Sequence, residues 1–401
     1  MTIFAYFDVC QPPSDQPANF DSFNGRTCFP CSPLFYNPLV RFAAIILAVA
    51  TIPILRLPAS AQSSIQSTGF NSNLRGISVT RASAGKYVAW LSGTKGTILR
   101  SLDEGKSWQQ LKNDADPAFV GLDFRDIEAF GAHLAYAMSS GDADKSRIYK
   151  TIDGGKTWTL QFTDKRPGFF LDSLACNSRT HCFALSDPVE GKFLVLTTVD
   201  GQHWKELPRD KMPAALPTGG GFAASGTSIA LCGIDIYFGT GGPAARVFHS
   251  ADRGRSWTAI ETPIASGNAS SGIFSLACSG RHLLAVGGDY KNPDRADHVA
   301  AYSNDRGKTW HLSDRPPNGY RSSVSIASAA ALVVGPNGED VSLDYGIHWQ
   351  SVDTLSLNAA TLTSDGRGWA AGPQGMYKQF QMKVLDLMRR HRQSEKDVTE
   401  E

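Results

Sequence analysis

From about residue 62 onward, apolar residues come in short runs and alternations, broken by glycine-rich polar turns. The stretches "YVAWLSGTKGTILR", "LAYAMSSGDADKSRIYK", "KFLVLTT", "ARVFHS" and "HVAAYS" read as β-strands of small and apolar residues. Each is followed by a similar turn, and then by a short alternating strand such as "TLQFT" or "TAIET". The pattern changes only after Phe380. There "QMKVLDLMRRHRQSEKDVTEE" is charged and weakly amphipathic, and reads as a short helix that frays into a tail.

The recurring turn has the form Ser/Thr-x-Asp-x-Gly-x-x-Trp. Its copies contain Asp103, Gly105 and Trp108; Asp153, Gly155 and Trp158; Asp252, Gly254 and Trp257; Asp305, Gly307 and Trp310; Asp344, Gly346 and Trp349. A sixth copy, with Asp200 and Trp204, is one residue shorter. The tryptophans lie 50, 46, 53, 53 and 39 residues apart, which suits one four-stranded propeller blade per repeat. Each glycine supplies a backbone position at positive φ, each Asp accepts turn amides, and each Trp buries its ring against the neighbouring sheet. These boxes are therefore expected to build the fold and not to do chemistry.

"LNAATLTSDGRGWAAGPQGMYKQF" (357–380) repeats the first three strands of a blade without a box. "SSIQST" (63–68) resembles the strands that follow the boxes and is expected to be the missing fourth strand. The fold class expected is all-β: a seven-bladed propeller over 62–380, closed by its N-terminal strand, with residues 381–401 as a tail.

Residues 1–61 differ in kind. "FAAIILAVATIPIL" follows Arg41, and Ala59-Ser60-Ala61 forms a small-x-small cleavage site. This reads as a signal peptide cut after Ala61, behind a mis-started segment, and predicts a secreted or periplasmic chain without a membrane span. "CFPC" (Cys28, Cys31) lies in that leader, where no fold is expected to tune a redox pair. In an oxidising compartment Cys176 and Cys182, flanking "NSRTH", are placed to bridge. For Cys232 and Cys278 a bridge is the weaker reading, set against two free buried thiols.

Charge narrows the function. Lys and Arg number 39 against 38 Asp and Glu, so no basic face for nucleic acid is indicated. The histidines are scattered, and "PTGGGFAASG" does not lead from a strand into a helix as a phosphate loop does. No cofactor or metal is expected. Aligning the first strand of each blade ("NLRGISV", "DFRDIEA", "FFLDSLA", "GFAASGT", "GIFSLAC", "YRSSVSI", "LNAATLT") brings Arg75, Arg125 and Arg321 to matching places, with Asp126 and Asp172 beside them. They are expected to converge at one channel mouth as a site for an anion or acid, or as a self-paired network. Two longer loops carry Asp187, and Asp289, Tyr290, Asp294 and Asp297; Asp289, Asp294 and Asp297 offer oxygen ligands for calcium, in a spacing that matches no EF-hand.

The boxes, together with "AWLSGTKGTILRSLDEGKSW", "DFRDIEAF", "RIYKTIDGGKTWTLQF" and "GWAAGPQGMYK", resemble the photosystem II stability/assembly factor family, in particular its secreted bacterial branch, over about Gln66–Phe380. That resemblance implies a non-catalytic scaffold that binds another protein, without naming the partner; the chain is expected to be a monomer. The boxes also resemble those of sialidases, which hold a carboxylate with three arginines and use a Tyr activated by Glu. Tyr320 beside Arg321, and Glu128 near Arg125, are the candidates here, while "LRGIS" lacks the proline of the sialidase Arg-Ile-Pro motif. A carbohydrate ligand and glycoside hydrolysis, with Asp126 and Asp172 as the carboxylate pair, form the alternative.

Overall fold

The computed structural model describes residues 64–82 and 85–381. The expected leader with its "CFPC" pair and the tail beyond Gln381 lie outside the described residues. The described chain forms seven antiparallel sheets whose strands run outward in chain order, except that the outermost strand of blade 7 is the N-terminal Ser64–Ser67. Blade 1 spans Leu74–Leu111, blade 2 Asp123–Thr163, blade 3 Leu171–Glu206, blade 4 Ile229–Glu261, blade 5 Asn268–Leu312, blade 6 Ser323–Asp353 and blade 7 Ala359–Gln381. Blade 5 gains a two-residue fifth strand, Gly241–Gly242, from its neighbour.

Second strands such as Tyr87–Gly93 and Ala330–Gly335 are buried at every position, because blades pack on both of their faces. That is why they read as apolar runs, where a strand with one wet face alternates. The core is divided accordingly: Trp90, Phe124, Tyr149 and Trp158 pack between blades 1 and 2, and Leu332, Val334, Ala370 and Phe380 between blades 6 and 7.

Each box is a closed hydrogen-bond cage between the third and fourth strands. In blade 1 the Ser101 hydroxyl donates to Asp103 Oδ1 at 2.7 Å and accepts the Gly105 N–H at 2.7 Å. Asp103 also accepts the Ser107 N–H at 2.9 Å and the Ser107 hydroxyl at 2.6 Å. The hydrogen bond from Ser107 is the main force holding the Asp103 carboxyl down at about 2. The residue before the glycine is left-handed as well: Glu104, Arg253, Arg306 and Tyr345 all lie near φ +60°. Glycine is required for a second reason, close approach. A Cβ on Gly155 would sit 2.4 Å from Leu111 of the preceding blade. The boxes thus clamp blade to blade, and Tyr377 of blade 7 donates its hydroxyl to the Gly105 carbonyl of blade 1.

Ring closure follows the expected route. Ser64–Ser67 pairs antiparallel with blade 7, from Ser64 opposite Gln379 to Ser67 opposite Met376. Cys176 and Cys182, directly opposite one another in blade 3, form a disulfide. Cys232 and Cys278 are also joined, the weaker of the two readings open from sequence. They end the inner strands of adjacent blades, which sequence separation alone does not reveal.

Deleting residues 62–68 is expected to expose the blade 7 edge, lower the melting temperature by roughly 10 °C and promote self-association. Scanning calorimetry with light scattering checks this. A truncated chain as stable and monodisperse as the parent would contradict closure by that strand.

Candidate functional site

The inner strands of blades 1, 2, 3 and 5 carry a β-bulge that decides which side chains reach the axis. In blade 2, Phe124 pairs with Ser139 and Asp126 with Met138, leaving Arg125 as the extra residue. The same shift makes Arg75, Asp172 and Phe274 the extra residues of blades 1, 3 and 5. The residue after the bulge bonds sideways to the next blade. Asp126 accepts the Leu174 N–H at 2.7 Å, Ser173 accepts Ile229 N–H at 3.1 Å, Ser275 accepts Val324 N–H at 2.9 Å, and Ser323 accepts Ala360 N–H at 3.2 Å.

These markers correct the strand alignment made from sequence. In blade 6 Ser323 holds the sideways bond, so Ser322 stands at the position of Arg75 and Arg125, and Arg321 precedes it. A one-residue slip turns a strand side chain to the other face. Arg321 is fully buried away from the mouth, where its Nε donates to Asp340 at 2.8 Å and its guanidinium to the Tyr320 carbonyl at 2.9 Å. The expected convergence of three arginines therefore reduces to Arg75 and Arg125. In blade 3, Asp172 occupies the arginine position itself.

A second correction concerns "GFAASGT". It is not the inner strand of blade 4, which is Ile229–Cys232. It belongs to the long connection from Glu206 to Ile229, which enters the channel and crosses it. The Gly221 N–H donates to Asp187 at 2.7 Å, the Ala223 carbonyl accepts from the Arg125 guanidinium, and the Ser225 hydroxyl donates to the Ser322 carbonyl of blade 6 at 2.7 Å. Phe222 stacks on Phe274 with ring centroids 3.8 Å apart. Gly226 has φ +74° and lies so close to Asp126 that a Cβ would fall 2.2 Å from its carboxyl carbon. Blades 2, 3, 5 and 6 are all touched, so the segment divides the channel.

On the side where the inner strands begin lies a mixed-charge mouth. Arg125 Nε pairs with Asp123 at 2.6 Å. Burial lowers the Arg75 pKa, with the Arg125 charge adding to the effect, and its Nε is buried without a hydrogen-bond partner among the described residues. Two guanidinium groups thus act on each other with one carboxylate, Asp123, bonded to only one of them. Behind them, burial raises Asp172 well above the usual carboxylate range, with the Asp187 charge adding and Arg125 opposing. Burial also lifts Asp187 to about 6. Tyr320 packs edge-on to Phe274, and Tyr290, about half exposed, completes an aromatic rim.

On the other side, Asp126 and Glu128 line a cavity of about 230 Å³ bounded by Leu174–Asn177, Gly226, Ile229–Leu231 and Leu276. Burial raises both carboxyls, Glu128 to about 8, and their mutual repulsion raises Asp126 further. Asp126 and Asp172 touch opposite ends of the crossing segment, at Gly226 and Gly221. They do not face each other as a glycosidase pair. Nor does Glu128 meet Tyr320: Glu128 acts on Asp126, while Tyr320 lies against Phe274 and near Arg75, with its phenol pKa raised by burial. Asp187 lies at the end of a strand, not in a free loop. Asp289, Asp294 and Asp297 are bonded separately, to Asn292, Asn337 and Arg295, and no metal-ligating group of three forms among the described residues.

The sequence model of the BNR/Asp-box repeat matches residues 301–312. No curated protein matches the chain in sequence. Among solved structures it is similar to YCF48 bound to D1 peptide, at 12% identity and TM-score 0.57, over 80% of this chain and 97% of that one. YCF48 from Cyanidioschyzon merolae gives 16% and 0.56, over 79% and 99%. A streptogramin B lyase gives 12% and 0.55, over 79% and 97%. At these identities the likeness is one of fold: a seven-bladed Asp-box propeller.

A carboxyl whose pKa is higher in the folded chain stabilises the fold less as pH rises. Between about pH 4.5 and about pH 8 Glu128 keeps its proton when folded but loses it when unfolded. Folding then loses about 1.4 kcal/mol per pH unit for each such group. Glu128→Gln is expected to gain stability over the parent steadily across that interval in urea denaturation. A difference independent of pH would contradict the half-buried, proton-holding carboxyl.

Proposed function

We propose that the chain is an exported, non-catalytic scaffold that binds a protein partner at the Arg75–Arg125 mouth. The observation that carries this reading is the incompletely paired guanidinium of Arg75 beside Arg125, bordered by the Tyr290–Phe274–Tyr320 rim. A segment bearing carboxylates supplies the missing partner for Arg75 in charge-assisted bonds, and the aromatic rim supplies contact area. The crossing segment fixes Arg125 through the Ala223 carbonyl, so the site is pre-organised and loses little entropy on binding. The solved YCF48 complex with a D1 peptide supports a peptide-binding use of this fold. The leader sequence and the two disulfides support an oxidising compartment. Carbohydrate binding has less to support it, because the carboxylates and tyrosine that hydrolysis would use are kept apart.

The test is binding to arrays of random peptides in two forms, with free and with amidated C-termini, by the parent, Arg75→Ala and Arg125→Ala. Binders are expected to be acidic or to need the free carboxylate, and each variant to lose about tenfold or more in affinity. Binders indifferent to peptide charge and to both substitutions would contradict the reading.

A further inference from the structure

The second compartment asks for a different ligand. Repetition within the ring shows what its wall positions require. At the site of Asp126, blades 3, 5 and 6 place Ser173, Ser275 and Ser323, and each hydroxyl accepts the next blade's N–H as Asp126 does. Two residues on, blades 1 and 6 place Ser78 and Ser325, which accept the Ala129 and Leu362 N–H groups at 3.0 and 2.9 Å. Blade 2 has Glu128 there. A serine meets the structural task, so the acidic groups of blade 2 are surplus to it and costly to bury. The two carboxyls lie two residues apart on one strand and so share a face.

They meet at a cavity and not in packed core. Its other walls are apolar or neutral: Ile77, Leu174, Ala175, Ile229, Leu231 and Leu276. None of its lining residues is Lys, Arg or His, so no cation of the chain answers the acids there. The lining ends at exposed Asn177, on the face opposite the arginine mouth, which gives a way in. At about 230 Å³ the space falls below the ~300–1,000 Å³ typical of drug-sized ligands and matches a single side chain or a small amine.

We propose that this cavity binds a primary alkylammonium group, with its aliphatic stem against Leu174, Ile229 and Leu276 and its nitrogen between the Asp126 and Glu128 carboxyls. The amine belongs to a small free molecule or to a lysine of a bound protein. The site is independent of the arginine mouth, and its failure would leave the Proposed function standing. Burial keeps the pair protonated when the cavity is empty, so one ammonium ionises one carboxyl of the pair and releases up to one proton to solvent. Affinity therefore rises with pH up to about 8, the value at which Glu128 gives up its proton unaided.

The experiment is calorimetric titration of the chain with four probes near neutral pH, in two buffers of different ionisation enthalpy. n-Butylamine and Nα-acetyl-lysine amide carry the ammonium; 1-butanol and Nα-acetyl-norleucine amide are their neutral counterparts. The expected result is binding of at least one amine, at least about tenfold tighter than its neutral counterpart, with proton release. Glu128→Gln is expected to reduce the proton release and remove most of that preference. Its urea stability reports separately that the fold is intact, and Asp126→Asn serves as the second variant. Preference for butylamine assigns the site to a free amine, and preference for the lysine derivative assigns it to a protein side chain. No binding of either amine, equal binding of amine and neutral probe, or a preference unchanged by both substitutions would overturn the proposal.

Discussion

The inner strand of a blade has an edge turned toward the axis, and outside the short pairing of Gly241–Gly242 on blade 5 the N–H groups along that edge have no partner in their own sheet. A buried, unpaired backbone N–H is costly, so something must accept from each one. Here the acceptor comes from the preceding blade: Asp126 for Leu174, Ser173 for Ile229, Ser275 for Val324 and Ser323 for Ala360. This sideways relay fixes the register of each inner strand against its neighbour. It also decides which side chains sit one residue earlier, on the bulge. The channel's chemistry is set by that choice.

Two compartments of different character result. The bulge residues Arg75 and Arg125 give one mouth its guanidinium groups, and the position after the bulge gives the other side Asp126, with Glu128 two residues on. The connection between blades 3 and 4 separates them. Its glycines allow the approach: Gly221 presses on Asp172 and Gly226 on Asp126, where any side chain would collide. Its carbonyl at Ala223 and its amide at Gly221 satisfy groups from blades 2 and 3, so the segment belongs to the wall as much as to a loop.

Much of this was legible in the sequence. The boxes announced themselves because a cage needs Ser or Thr, Asp and Gly at fixed offsets, and the closing strand was readable from its likeness to other fourth strands. The alignment at the axis was less legible. A bulge adds a residue without any marker in the letters, so letters alone align these strands only loosely: Asp172, one letter after the two arginines, stands at their position, and Arg321, one letter before them, does not. "GFAASGT" passed for an inner strand because it is apolar and sits at the right distance from a box. The clue was length: 22 residues separate Glu206 from Ile229, against seven between Thr163 and Leu171. Pairing of Cys232 with Cys278 was equally hidden, since adjacency of their strand ends appears only once the ring is closed.

The account stands on the crossing segment being a fixed partition. Residue-resolved hydrogen exchange over Gly219–Gly226 near neutral pH tests this most directly. The account predicts that the Gly221 N–H, bonded to Asp187, exchanges as slowly as the Leu174 and Val324 N–H groups of the channel wall. Exchange of Gly221 at the rate of an open surface loop would mean an undivided channel, and would contradict the separation of an arginine mouth from an acidic cavity.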